Sequence, residues 1–69
     1  MVKKLSKREF EVLELIAQGM SNRKIGERLG LTYGTAQGLV HRLYVKLGFG
    51  NRIKAAMYYY QNYPGKPLD

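Results

Sequence analysis

Thr32-Tyr-Gly-Thr-Ala-Gln-Gly-Leu-Val-His-Arg-Leu-Tyr-Val-Lys-Leu47 is the stretch on which the fold turns. Its apolar residues Ala36, Leu39, Val40, Leu43 and Leu47 recur at i, i+3, i+4, i+7 and i+11, the stripe of one amphipathic helix laid against a core. On a helical wheel the opposite face carries Gly34, Thr35, Gly38, His41, Arg42 and Val45, with Gln37 on its flank. No carboxylate stands there. A face without acids, rich in hydrogen-bonding groups and thin at two glycines suits close approach to a polyanion. The expectation is a helix over residues 33–47 that enters a DNA major groove.

Upstream of this stretch, Gly30 and Leu31 leave room only for a tight turn. Before it, Ser21 has the chemistry of an N-cap, Met20 and Ile25 stand in staple positions, and a short helix is expected over residues 22–29. Gly26 inside that helix costs about 1 kcal/mol relative to alanine, so it marks a crossing too close for a side chain. Two helices joined so tightly cross steeply, as in a helix-turn-helix. Earlier still, Ser6 and Glu9 form a capping box and Leu5 and Phe10 a staple, which start a first helix over residues 7–18. Gly19 follows as its left-handed stop.

Downstream, Gly48-Phe49-Gly50 ends the main helix, and Asn51 caps a fourth over residues 52–62. Ile53, Ala56, Met57 and Tyr60 are expected to form its inward stripe. Six tyrosines are many for this length, and Tyr58, Tyr59, Tyr60 and Tyr63 crowd this helix. They cannot all face inward, which predicts an exposed aromatic patch, with Ala55, Tyr59 and Tyr63 as a dimer surface. Packing of the tail over these rings, or stacking of single-stranded nucleic acid on them, are the alternatives. The tail after the helix, with Pro64, Gly65 and Pro67, cannot extend it, and residues 1–5 form a basic lead-in.

The chain of 69 residues is read as one all-α domain, near the lower limit for a single core. Twelve Lys and Arg against five Asp and Glu give a net charge of +7, and residues 28–66 contain six basic residues and no acid. That distribution implies an anionic partner, against the plainer reading of a basic chain kept soluble by its charge. There is no cysteine, no apolar run of membrane length and no signal-peptide segment, which places the expected location in the cytoplasm. With one histidine and no cysteine, neither a metal site nor a nucleophile and base at workable spacing is expected. No cofactor or small-molecule ligand is expected either, and the chain is read as no enzyme.

The run from Leu5 to Gly19, then Ser21-Asn-Arg-Lys-Ile-Gly, Leu29, Leu31-Thr, Thr35, Lys46-Leu-Gly, Asn51-Arg and Ala55, resembles the LuxR-type (FixJ/NarL, GerE-like) helix-turn-helix domain without a gap in spacing. The resemblance covers residues 5–60 and implies a four-helix DNA-binding domain. In it the second and third helices form the motif, and the fourth commonly mediates dimerisation. Because the motif starts so near the first residue, the chain resembles stand-alone members, with an excised domain as the other reading. The departures fall in the third helix. Where the family reads close to S-x-x-T-V-K-x-H, this chain has Gln37 for the lysine and Leu39 for the histidine, with Gly34 and Gly38 in place of longer side chains.

By that resemblance Gln37, Gly38 and His41 occupy base-contacting positions, and Gln37 has the donor and acceptor to pair with adenine. For the DNA backbone the candidates are Ser21, Asn22, Arg23 and Lys24 at the start of helix two, and Thr35, Arg42 and Lys46 on helix three. Arg8 and Arg52 match recurring family arginines, and Arg8 is also placed to pair with Glu11 or Glu14. The leading reading is a transcriptional regulator that binds duplex DNA as a homodimer. Its competitors are a domain like sigma-factor region 4 and a protein-interaction module that acts as an anti-activator.

Overall fold

Each helix begins where a side-chain oxygen is available to take a free backbone amide. The computed structural model describes residues 4–63, and over them the chain forms α1 (Lys7–Ala17), α2 (Asn22–Leu29), α3 (Tyr33–Leu47) and α4 (Arg52–Asn62). Ser6 Oγ accepts from the Glu9 amide at 3.1 Å while the Ser6 amide donates to Glu9 Oε1 at 2.7 Å, which completes the capping box. The oxygens of Ser21, Thr32 and Asn51 accept from the amides of Lys24, Thr35 and Lys54. The first three helices stop against left-handed glycines, with Gly19 at φ 88°, Gly30 at φ 72° and Gly48 at φ 87°. α1 closes at Ala17, one residue before the expected end, with Gln18 as its cap. Residues 1–3 of the basic lead-in and residues 64–69 of the tail lie outside the described residues.

The core is one cluster. Val12, Leu13, Leu15 and Ile16 of α1 meet Ile25 of α2, Ala36, Val40, Leu43 and Leu47 of α3, and Ala55 and Tyr59 of α4. Fully burying a leucine or isoleucine such as Leu13, Ile25 or Leu43 contributes about 1.5–3 kcal/mol each relative to exposure. The expected stripe of α3 is therefore its buried face, except that Leu39 is only half-buried. α1 lies between α3 and α4, and α2 packs on α3. A Cβ at Gly26 would sit 3.0 Å from the Leu31 carbonyl oxygen and 3.4 Å from Ala36 Cβ, so the crossing does require a residue without a side chain. The turn is itself tied, because the Leu31 amide donates to the Gly26 carbonyl at 2.7 Å.

α4 presents a different face from the expected one. Ile53, Met57 and Tyr60 are 72%, 52% and 49% exposed, whereas Ala55 and Tyr59 are fully buried. The reason is chemical as much as apolar. The Tyr59 hydroxyl donates to Glu14 Oε2 at 3.3 Å, and the ring packs against Phe10 and Tyr63 with centroids 5.9 and 5.6 Å away. Burial first, and the Glu14 carboxylate second, push the Tyr59 hydroxyl up, so it stays protonated and donates. Tyr60 swings to the side and donates to the Ala17 carbonyl at 3.2 Å.

Candidate nucleic-acid interface

The capping and packing just described leave the outer face of α3 bare. Gly34, Thr35, Gln37, Gly38, His41, Arg42 and Val45 are all exposed, and Val45 is 68% so. The helix is fifteen residues long, about 22 Å at the usual rise, enough to cross a major groove. Cβ atoms added at Gly34 and Gly38 would meet nothing within 4 Å. Nothing among the described residues demands those glycines. Gln37, Gly38 and His41, the expected base-contacting residues, thus share one open surface with Thr35 and Arg42.

Thr35 is oriented by its cap. The Thr32 hydroxyl donates to Thr35 Oγ1 at 3.0 Å, which leaves the Thr35 hydroxyl proton free to point outward. Arg42 has no carboxylate partner among the described residues, and neither has Arg28. Lys46 differs: its ammonium lies 2.9 Å from Glu9 Oε1, so the lower end of α3 is tied to the start of α1. The Ser6 backbone amide, and after it Lys46, hold the Glu9 carboxyl below the usual carboxylate range.

At the start of α2 the four expected backbone-contacting residues divide into two kinds. Ser21 Oγ is spent as the cap, and Lys24 stands 3.7 Å from Glu27 in an exposed, weak pair. Arg23 lies over the Tyr33 ring, with its guanidinium carbon 5.2 Å from the centroid, which ties the start of α2 to the start of α3. Asn22 is half-buried, and its Oδ1 accepts from Arg52 Nη2 at 3.1 Å. The same nitrogen donates to the Met20 carbonyl at 2.6 Å, and Nη1 donates to the Tyr44 hydroxyl at 3.4 Å. Ser21, Asn22, Arg23, Tyr33 and Arg52 together bound one open hollow where α2 and α3 begin.

Ala55 and Tyr59 do not belong to any surface. Both are fully buried in the monomer, which corrects the expectation that they form a dimer face with Tyr63; Tyr63 itself is half-buried against Phe10 at 5.0 Å between centroids. The exposed apolar residues of α4 are Ile53, Met57 and Tyr60 instead. Arg8 pairs with Glu11 at 3.6 Å, one of the two partners expected. Sequence reasoning missed Tyr33 as the seat of Arg23 and Arg52 as a link between α4 and α2. One signal for the second was available: Arg52 opens its helix, the end at which the backbone dipole disfavours a cation, so partners elsewhere must hold it.

Two short helices crossing at Gly26, with the second presenting a bare polar face, define a helix-turn-helix domain. The family model described as bacterial regulatory proteins, luxR family, matches residues 3–59, and the chain belongs to that family. The family is one of DNA-binding transcription regulators, not a class of enzymes. The chain is 41% identical over 59 residues to the transcriptional regulatory protein LiaR of Bacillus subtilis. It is 37% identical over 60 residues to the nitrate/nitrite response regulator protein NarL of Escherichia coli. These alignments cover 86% and 87% of this chain and 28% of each relative. No helix among the described residues is long and apolar enough to cross a membrane.

Proposed function

We propose that this domain binds duplex DNA sequence-specifically as part of transcriptional regulation, with the outer face of α3 in the major groove. The observation that carries the reading is the exposed, carboxylate-free face of α3, flanked at its upper end by the cations at the start of α2. Gln37, Gly38 and His41 face the bases, and Asn22, Arg23, Lys24, Thr35 and Arg42 meet the phosphates. Ser21 contributes through the helix start that it caps. Lys46 joins the phosphate contacts only by leaving or sharing Glu9. The relatives' descriptions as transcriptional and response regulators agree with this role.

Association is proposed to be homodimeric through α4, on the exposed face of Ile53, Met57 and Tyr60. Met57→Glu should then yield a folded monomer that binds weakly; a wild-type monomer both free and on DNA in sedimentation would end the dimer proposal.

DNA binding itself is tested by its salt dependence. For about four phosphates per protomer, log K should fall against log salt with a slope near −4, and about twice that for a dimer. Affinity indifferent to salt would refute the reading. Lys24→Ala should weaken all duplexes alike and make the slope shallower by about one.

A further inference from the structure

Arg52 is the first residue of α4, yet every partner it has lies on other parts of the chain: the Met20 carbonyl, Asn22 Oδ1 and the Tyr44 hydroxyl. Both hydrogens of its Nη2 are committed, one to Met20 and one to Asn22. An arginine only donates, so the oxygen of the Asn22 amide must face it and the Asn22 Nδ2 must face away. That Nδ2 has no hydrogen-bond partner among the described residues, and Asn22 lines the open hollow together with Ser21, Arg23, Tyr33 and Arg52. In the same place the first amides of α2 lack an intrahelical partner, and Arg23 is held at the rim by the Tyr33 ring. Asn22 thus combines an unspent donor with a direction set from another helix.

We infer that Arg52 is a positioning residue for the DNA backbone: it locks the Asn22 amide with its NH2 group outward, where that group donates to a phosphate seated at the start of α2. The inference rests on the DNA-binding reading above. Both hydrogens of Arg52 Nη2, the nitrogen that faces Asn22, are spent inside the chain, and in this inference Arg52 acts on the phosphate through Asn22. In this arrangement the start of α4 sets the orientation of a contact made by α2.

The test measures anisotropy of a labelled mixed-sequence DNA duplex with the full chain at several salt concentrations, beside thermal melting. Asn22→Asp keeps an acceptor for Arg52 and removes the donor, so melting should hold or rise while affinity falls about tenfold or more. Arg52→Met should also lose about tenfold, with the salt slope unchanged because no phosphate contact of its own is lost. Asn22→Ala added to Arg52→Met should cost nothing further, as expected when one residue acts through the other.

Wild-type affinity in Asn22→Asp, or losses from Arg52→Met and Asn22→Ala that simply multiply, would overturn the inference. A salt slope shallower by about one in Arg52→Met would overturn it too, by making Arg52 a direct phosphate ligand. If Arg52→Met does not fold, wild-type affinity in Asn22→Asp still overturns the inference, because that variant both removes the donor and sets a carboxylate against the phosphate. Failure of the wild-type chain to bind any duplex would overturn the DNA-binding reading as well, whereas wild-type binding with unimpaired Asn22→Asp overturns this inference alone.

Discussion

The crossing of α2 with α3 and the outer face of α3 each hold glycine within a helix, at a cost of about 1 kcal/mol per residue relative to alanine. At the crossing the cost is offset inside the molecule. Gly26 is buried, and its missing Cβ is what lets the Leu31 carbonyl and Ala36 come so near, the first at 3.0 Å from where the Cβ would stand. On the outer face nothing offsets it. Gly34 and Gly38 are exposed, with open space where each Cβ would be. For a small domain whose whole stability is on the order of 5–15 kcal/mol, two uncompensated glycines are a sizeable loss. One kind of glycine is explained by the fold, and the other by what the face must admit, which on our reading is the edge of a base pair.

The difference is sharpest where it can be broken. Gly26→Val should destabilise the domain by about 3 kcal/mol in urea unfolding, because the nearest atom is backbone in a hydrogen-bonded turn and cannot give way. A loss below about 1 kcal/mol would mean that the crossing relaxes and the comparison has no basis. Gly38→Ala, with room for its methyl group, should do the reverse and stabilise by up to about 1 kcal/mol while weakening specific DNA binding. Helix propensity alone produces the first effect and not the second. Unchanged operator affinity would make the outer glycines incidental.

The smallest effect belongs to the lower end of α3, where the inner ties reach the outer face through Lys46 and Glu9. Glu9 is held below its usual range in the folded chain. Its stabilisation is therefore present above the ordinary carboxylate range and is lost as the pH falls through the depressed folded value. Glu9→Gln keeps the capping box but not the ion pair. It should cost about 0.5 kcal/mol at neutral pH and flatten part of the acid limb of the stability profile. An acid limb identical to that of the wild type would assign the acid sensitivity to other carboxyls.

Most of the fold was legible because helix ends are local chemistry. Ser6 with Glu9, Ser21, Thr32 and Asn51, and the glycines at 19, 30 and 48, carry their boundaries within a few residues. The buried stripe of α3 was legible for the same reason, since it contrasts with a polar opposite face. α4 offers no such contrast. Ile53, Ala56, Met57 and Tyr60 fit helical spacing as well as Arg52, Ala55, Ala56, Tyr59 and Tyr63 do, and three adjacent tyrosines erase the periodicity. What selects the second set is polar and distant: Glu14 receives the Tyr59 hydroxyl, while Met20 and Asn22 receive Arg52. Such partners, thirty or more residues apart, leave no trace in periodicity, and the same holds for Lys46 with Glu9.

The central claim is that the outer face of α3 reads base pairs, and selection of bound sequences from a random duplex pool tests it most directly, run in parallel for the wild type and Gln37→Ala. Gln37 matches adenine N7 and N6, and thymine methyl groups fit the space that Gly34 and Gly38 leave. The account predicts enrichment of an A/T-containing half-site, repeated as a palindrome about one DNA turn apart if the protein acts as a dimer. Gln37→Ala should relax the preference at one base pair, a loss of roughly 1–3 kcal/mol there, and leave the rest in place. A pool that stays unenriched, or one whose enriched site is identical with Gln37→Ala, would contradict the claim.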